Sequence, residues 1–420
     1  MSEKDDRRSA NYALAALFVV YIFNFLDRQI LATLIQPIKQ SIGASDTQMG
    51  MLAGLMFALF YTFLGLPIAR QADRGSRVLL ISLGLVVWSV MTAASSYART
   101  FTQLALARMG VGVGEASFTP SAHSLIADYF PPQRRATAMA IFTIGANLGT
   151  FIASAGGGWV AQNIDWRPAF LMVGLPGLLV ALVFYRTVRE PPRGRWDPPA
   201  SRAPMALRQA LEALASRRAF VFITLSAALH GFSSYGSGTW TTVFLMRVHG
   251  LNVAQAGLVI GTLTAVVGAS GAYGAGRLTD RLGRGDARWY MWVPALASII
   301  ALPFVLLFLY LGDPVHAVIA YLPGQLLVNS WVGPTYAMTQ SVAPPPTRAL
   351  AAAIVVFAIN LIGMGLGPVV VGALNDALAP RFGLEAVRYS LMVAAVPHTL
   401  AALFNVLAAR TLREDLARAA

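Results

Sequence analysis

The chain has 420 residues, 56% of them hydrophobic and only 12% charged, with a mean hydropathy of +0.60. Soluble domains carry roughly 25% charged residues, so a water-soluble enzyme is excluded, and the apolar content excludes a disordered or collagen-like chain. The composition is that of an all-α integral membrane protein, and the absence of cysteine rules out both a disulfide framework and a thiolate metal site.

In chain order, a polar start comes first. Met1 to Ala10 mixes Lys4, Arg7 and Arg8 with Glu3, Asp5 and Asp6, and the long apolar run after it has no small-residue cleavage site. It reads as a retained helix rather than a signal peptide. Apolar stretches of roughly 20 residues then recur along the chain. Their centres fall near Phe25, Phe57, Val86, Gly112, Gly149 and Leu178, and after a polar interval near Tyr235, Val266, Ser298, Val328, Gly363 and Ala395. Twelve transmembrane helices in two six-helix bundles are therefore predicted, with boundaries at 1–188 and 217–420. The interval 189–216 contains Glu190-Pro191-Pro192-Arg193-Gly194 and Asp197-Pro198-Pro199 and predicts a cytoplasmic linker, with a short surface helix around Met205–Leu214.

The basic residues set the orientation. With the amino terminus in the cytoplasm, 24 of the 32 Lys and Arg residues fall in inner loops and tails. Six fall outside (Lys39, Arg99, Arg167, Arg247, Arg381 and Arg388), and Arg28 and Arg108 lie within predicted helices. This is the positive-inside bias. It puts both termini in the cytoplasm and turns the net charge of +13 into a statement about topology. The bilayer is the partner this predicts, and nucleic acid is not.

The two bundles read as a duplication. At a constant offset of 207, Gln48, Gly50, Gly54, Asp73, Arg74 and Arg77 match Gln255, Gly257, Gly261, Asp280, Arg281 and Arg284. At an offset of 213, Pro131, Pro132, Arg135, Ala136, Asn147 and Leu148 match Pro344, Pro345, Arg348, Ala349, Asn360 and Leu361. Apolar composition does not align charged residues in this way. Parallel duplication is the arrangement in which two bundles rock about a central site.

Four charges at bilayer depth mark that site. Asp27 and Arg28 lie in the first predicted helix, Arg108 and Glu115 in the fourth. Each costs about 2.5–3.5 kcal/mol on insertion scales, and Arg108 and Glu115 are two turns apart on one helical face. The alternative is a static ion-pair lattice joining the two helices. Carboxylates exchange protons while arginines stay charged, so Glu115 and Asp27 are the candidates for proton coupling and Arg28 and Arg108 for binding an anionic headgroup. An anion displacing a carboxylate from a shared arginine links proton and substrate occupancy. The second half has no predicted mid-helix charge. Tyr235 and Trp240 in the seventh helix, with Asn329 and Trp331 in the tenth, are candidate substrate contacts, with ordinary helix packing as the rival reading.

Loops after the second and eighth helices carry further charge. Gly276-Arg277-Leu278-Thr279-Asp280-Arg281-Leu282-Gly283-Arg284 resembles the G-x-L-x-D-R-x-G-R loop of the major facilitator superfamily in full. Its partner, Ala69 to Arg77, departs from it at Ala69 and Ser76. An Asp at a helix end pairs with Arg or with a helix N-terminus, which makes Asp73, Arg74, Arg77, Asp280, Arg281 and Arg284 candidate gate residues; simple positive-inside anchoring is the alternative.

Four segments of the first half narrow the resemblance: Tyr21–Arg28 (YIFNFLDR), Arg108–Phe118 (RMGVGVGEASF), Ser124–Pro132 (SLIADYFPP) and Val188–Gly194 (VREPPRG). Over roughly residues 12–194 the chain resembles the Spinster branch of that superfamily. The resemblance implies the twelve-helix facilitator fold, alternating access, proton coupling and a lysolipid or related amphipathic anion as substrate. No cofactor is implied beyond H+ as coupling ion, and a monomer suffices for a central pathway. Arg in preference to Lys and minimal loops suit a bacterial inner membrane. A soluble organic anion or a hydrophobic drug is the alternative substrate, and a membrane-embedded lipid enzyme and a non-translocating lipid sensor are the rival classes. No H-E-x-x-H, G-x-S-x-G or Walker pattern occurs, so metalloprotease, hydrolase and ATPase chemistry lack their residues. His123 is a candidate proton relay and His230 a pocket or packing residue, while His249, His316 and His398 read as loop or packing residues. Gly156-Gly157-Gly158 reads as close helix packing.

Overall fold

A computed structural model describes residues 3–196 and 206–419. The described residues form helices and short connections: α1 (Glu3–Thr33), α2 (Ile35–Ile42), α3 (Asp46–Gly50), α4 (Met56–Arg74), α5 (Arg77–Ser95), α6 (Phe101–Glu115), α7 (Phe118–Tyr129), α8 (Pro132–Phe151), α9 (Gly157–Asn163) and α10 (Trp166–Thr187). The second half continues with α11 (Leu207–Ala215), α12 (Arg218–Arg247), α13 (Val253–Thr262), α14 (Ala269–Gly283), α15 (Trp289–Tyr310), α16 (Pro314–Val328), α17 (Val332–Val342), α18 (Arg348–Ala358), α19 (Gly367–Phe382) and α20 (Ala386–Ala419). All twelve expected centres fall inside helical segments, and α11 lies where a surface helix is predicted. Residues 197–205 of the predicted linker lie outside the described residues.

Several spans are built from two pieces. Four π-helical turns, Met51–Leu55, Ile152–Gly156, Leu263–Gly268 and Ile359–Leu366, join α3 to α4, α8 to α9, α13 to α14 and α18 to α19. These are the second and fifth rods of each half. The fourth and tenth rods are broken differently: α6 stops at Glu115 before the turn at Ala116–Ser117, and α16 stops at Val328 before Asn329–Trp331. Hence only nine stretches are long and apolar enough to span a membrane by length and composition among the described residues; the last, Pro345–Arg418, contains two rods, and the broken fourth and tenth are not among the nine.

The duplication is visible in helix starts. The Ser45 hydroxyl accepts from the Gln48 amide at 3.1 Å while the Gln48 side chain accepts from the Ser45 amide at 2.9 Å. Asn252 and Gln255 exchange the same pair of bonds at 2.9 and 3.1 Å. Both are reciprocal capping boxes, and they give the 207-residue offset between the two glutamines its physical cause.

Contacts divide the chain into two compact units, Met1–Ser201 with Asn252–Gly261, and Arg202–Leu251 with Thr262–Ala420. In the first, glycines bring backbones together. A Cβ on Gly114 of α6 would lie 2.7 Å from both the Gly84 carbonyl and the Trp88 amide of α5, and one on Gly112 2.8 Å from the Phe57 carbonyl of α4. The glycine-rich run before Glu115 thus seats α6 directly on α4 and α5, as small residues do between membrane helices. Gly157 and Gly158 also lie in close contact, a Cβ on Gly158 falling 2.7 Å from the Val253 carbonyl.

Candidate functional site

The close approach of α4, α5 and α6 to one another, and the packing of α1 beside them, bring the four intramembrane charges into one cluster. Arg28 Nε meets Glu115 Oε2 at 2.5 Å. The Thr92 hydroxyl on α5 donates to the Asp27 carboxylate, and Arg108 Nη1 donates to the Asp27 carbonyl at 3.3 Å. Asp27, Arg108 and Glu115 are buried, Glu115 completely. The Arg28 guanidinium lies 4.6 Å from the Tyr61 ring, 5.0 Å from Phe57 and 5.5 Å from Phe25. Phe57 is also 5.5 Å from the Arg108 guanidinium, so one ring serves two cations. Such contacts stabilise a desolvated arginine by about 2 kcal/mol.

The cluster is incompletely paired. Arg28 Nη2, Arg108 Nε and Glu115 Oε1 are buried without a hydrogen-bond partner. Two guanidinium donors and one carboxylate oxygen are thus left able to accept a further partner, and an unsatisfied buried polar group costs about 1–3 kcal/mol. Sequence reasoning missed Thr92 and the Phe57–Tyr61 pair. The i, i+4 spacing of those two rings was a signal, because it places them on one face; Thr92 gave none.

A second charged centre lies at one end of the same unit. Arg77, at the start of α5, is only 1% exposed. It pairs with Asp128 at the end of α7 and with Glu190 after α10, the latter at 2.6 Å, and donates to Ser124 at 2.8 Å. Glu190 Oε2 in turn accepts from the Val78 amide and from Ser76, both at 3.0 Å, and so caps α5. Partial burial opposes ionisation of Glu190, but the Val78 amide and Arg77 overcome it and hold its carboxyl below the usual range. Asp128 and Glu190 lie in the SLIADYFPP and VREPPRG segments; the sequence marked them only as motif members.

The remaining loop residues are disposed differently. Arg74, Arg281 and Arg284 are exposed, and Asp280 accepts from the Tyr290 hydroxyl at 2.9 Å. Asp73 is on α4, and its side chain lies outside the described residues. In the second unit it is Asp286 that gathers charge, meeting Arg288 and Arg413 at 2.8 Å each. Hydrogen bonds from Arg288 hold its carboxyl well below the usual range.

The second unit has a polar core of its own. His230 Nδ1 and His398 Nδ1 are 3.1 Å apart, His230 stacks on Trp331 at 5.2 Å, and Asn405 Nδ2 lies 3.3 Å from His230 Nε2. Ser226 donates to Asn405 Oδ1 at 2.8 Å. His398, expected in a loop or in packing, is half of this buried pair. Trp331 belongs to the same core, whereas Trp240, fully buried, donates to the Pro368 carbonyl at 2.9 Å and ties α12 to α19. Tyr235 is 39% exposed, and Asn329 forms the end of α16.

The family model of the Major Facilitator Superfamily matches residues 17–368. The chain belongs to the major facilitator superfamily. Among curated relatives, an "MFS-type efflux pump" of Mycolicibacterium smegmatis is 31% identical over 99% of this chain and 96% of its own length. "Protein spinster homolog 1" of Homo sapiens is 27% identical over 91% of this chain and 77% of its own. A crystal structure of a bacterial homologue of the human lysosomal transporter Spinster, described as inward-facing and unoccupied, is 32% identical, covers 99% of both chains and superposes with a TM-score of 0.87. This facilitator is therefore a membrane transporter related to Spinster, and not an enzyme.

Proposed function

We propose that this facilitator moves a lysolipid or related amphipathic anion by alternating access, coupled to H+, in a bacterial inner membrane with both termini cytoplasmic. The observation that carries the reading is the Arg28–Glu115 pair, its carboxylate fully buried and its arginine half-buried, with free guanidinium donors and a free carboxylate oxygen beside it. Arg28 and Arg108 take the anionic headgroup; Glu115, with Asp27 behind it, takes the proton when the headgroup displaces it. Tyr235, Trp240, Asn329 and Trp331 contribute on the second unit, and Asp73, Arg74, Arg77, Asp280, Arg281 and Arg284 act at the gate. A monomer without cofactor suffices. The lysolipid class rests on the resemblance to the Spinster branch, and the relatives of that name support a transporter of that branch.

The experiment is uptake of labelled lysolipid by vesicles containing only this protein, with and without an imposed pH gradient. Gradient-dependent flux that is lost in Glu115→Gln supports the reading. Flux unaffected by the gradient, or retained by Glu115→Gln and Asp27→Asn, overturns it. The efflux-pump name of the mycobacterial relative favours a second reading, export, for which a soluble organic anion or a hydrophobic drug is the alternative cargo. Acyl-chain dependence separates the amphiphile from a soluble anion, since each buried methylene adds about 0.8 kcal/mol.

A further inference from the structure

Where α1 begins and α10 ends, the Tyr12 hydroxyl donates to Thr187 at 2.7 Å and holds the two helix ends side by side. A cavity of about 550 Å³ opens there, lined by Arg8, Ser9, Tyr12, Tyr129, Thr187 and Arg189 among others. Its wall combines two guanidinium groups with four hydroxyls, and no carboxylate is among its described lining residues. The segment after α10 is fixed in place, because the Tyr129 hydroxyl donates to the Arg189 carbonyl and Glu190 is held by Arg77.

Directly beside it, and sharing Tyr12, runs a groove of about 330 Å³ between the same two helices. Ala15, Ala16 and Val19 form its α1 side and Leu179, Val180 and Val183 its α10 side. Its apolar rims are exposed, Val19 by 39% and Leu179 by 63%. In a membrane-spanning rod such surface faces hydrocarbon. A cationic, hydroxyl-rich pocket at the helix ends thus opens into an apolar channel that runs from them toward mid-membrane.

We propose that the α1–α10 groove is a binding site for an anionic diacyl phospholipid, phosphate at Arg8 and Arg189 and one acyl chain along Ala15, Ala16 and Val19. Charge complementarity selects the headgroup: basic pockets between transmembrane helices recognise anionic lipids. Small residues make room for the chain. None of these residues belongs to the Arg28–Glu115 cluster, so the bound lipid is a resident of the protein's outer face and not its cargo.

The test titrates the purified full chain in detergent with diacyl phosphatidylglycerol and with diacyl phosphatidylcholine, reading bound lipid by native mass spectrometry. Phosphatidylglycerol is expected to bind about thirtyfold more tightly, the factor two interfacial arginines supply. The Arg8→Ala/Arg189→Ala double variant loses that preference, Arg8→Lys/Arg189→Lys retains most of it, and Glu115→Gln leaves it intact. Ala16→Leu, which fills the groove, weakens both lipids.

A single cysteine at Val19, unique in this cysteine-free chain, carries a fluorophore that brominated phosphatidylglycerol quenches at lower mole fraction than brominated phosphatidylcholine. A preference unchanged in the double alanine variant, with thermal stability intact, overturns the proposal. So does loss of binding in a Glu115→Gln protein that still melts cooperatively, which would make the lipid a ligand of the central cluster. Competition by millimolar inorganic phosphate without any effect of Ala16→Leu reduces the site to an anion pocket and overturns the groove.

Discussion

Arg28 and Glu115, 87 residues apart in the chain, meet at 2.5 Å with the carboxylate wholly buried and its second oxygen unpartnered. Removing either partner leaves the other as an uncompensated buried charge, which costs about 3–5 kcal/mol. Arg28→Ala and Glu115→Ala should each lower thermal stability in detergent by that order. The double variant should lose less than the sum. A double-mutant cycle on melting curves measures the coupling, and additive losses would show that the pair contributes nothing as a pair.

Gly114 is fixed by space. An added methyl would press on the Gly84 carbonyl and the Trp88 amide, both backbone atoms 2.7 Å away that cannot step aside. Gly114→Ala should therefore cost about 1–3 kcal/mol and abolish transport by moving Glu115. Gly238 in α12 has nothing within 4 Å of the same position. Gly238→Ala is expected to be neutral or stabilising by up to about 1 kcal/mol. Melting temperatures of the two variants check the contrast.

Glu190 predicts an acid limb. Its carboxyl is held below the ordinary value of 4.5 in the folded protein. Its stabilising contribution is therefore complete above that value and disappears as pH falls through the lower, folded one. Between pH 6 and pH 3 the melting temperature of the native protein should fall more steeply than that of Glu190→Gln, which starts lower and changes less. Parallel pH–melting profiles of the two would remove Glu190 from the acid response.

Asn405 bridges Ser226 and His230 in a site closed to solvent. Asn405→Ala strands His230 Nε2, while Ser226 keeps its bond to the Ala401 carbonyl at 3.1 Å, and an unsatisfied buried group costs about 1–3 kcal/mol. A drop in melting temperature larger than that of Ser226→Ala is expected, since the serine can still be replaced without exposing the histidine pair.

Composition and periodicity were enough to place every rod, because bilayer depth demands long apolar runs and little else. The repeat was legible down to the capping glutamines, whose local bonds depend on four consecutive residues. The Arg28–Glu115 meeting was legible as a set of misplaced charges, but not as a bond, because nothing local in a helix says which neighbour it will face. Arg77 shows the limit more sharply. It aligns with Arg284 at a fixed offset, yet one is buried in a nest of two carboxylates and a hydroxyl and the other is exposed. The difference lies in Asp128 and Glu190, which come from two other helices' ends. The histidine pair was missed for the same reason: His230 and His398 are 168 residues apart.

The four π-helical turns carry a meaning for chain length. Each closes its backbone hydrogen bonds one residue later than the α-helix on either side, whereas adding or removing a residue in a regular span rotates everything beyond it by about 100°. Deleting one residue from Met51–Leu55 or Ile152–Gly156 restores ordinary helix pairing and leaves the flanking faces in phase. A deletion two turns away would turn the buried face of the rod outward. These short stretches are the places where the spans can lose a residue without losing register.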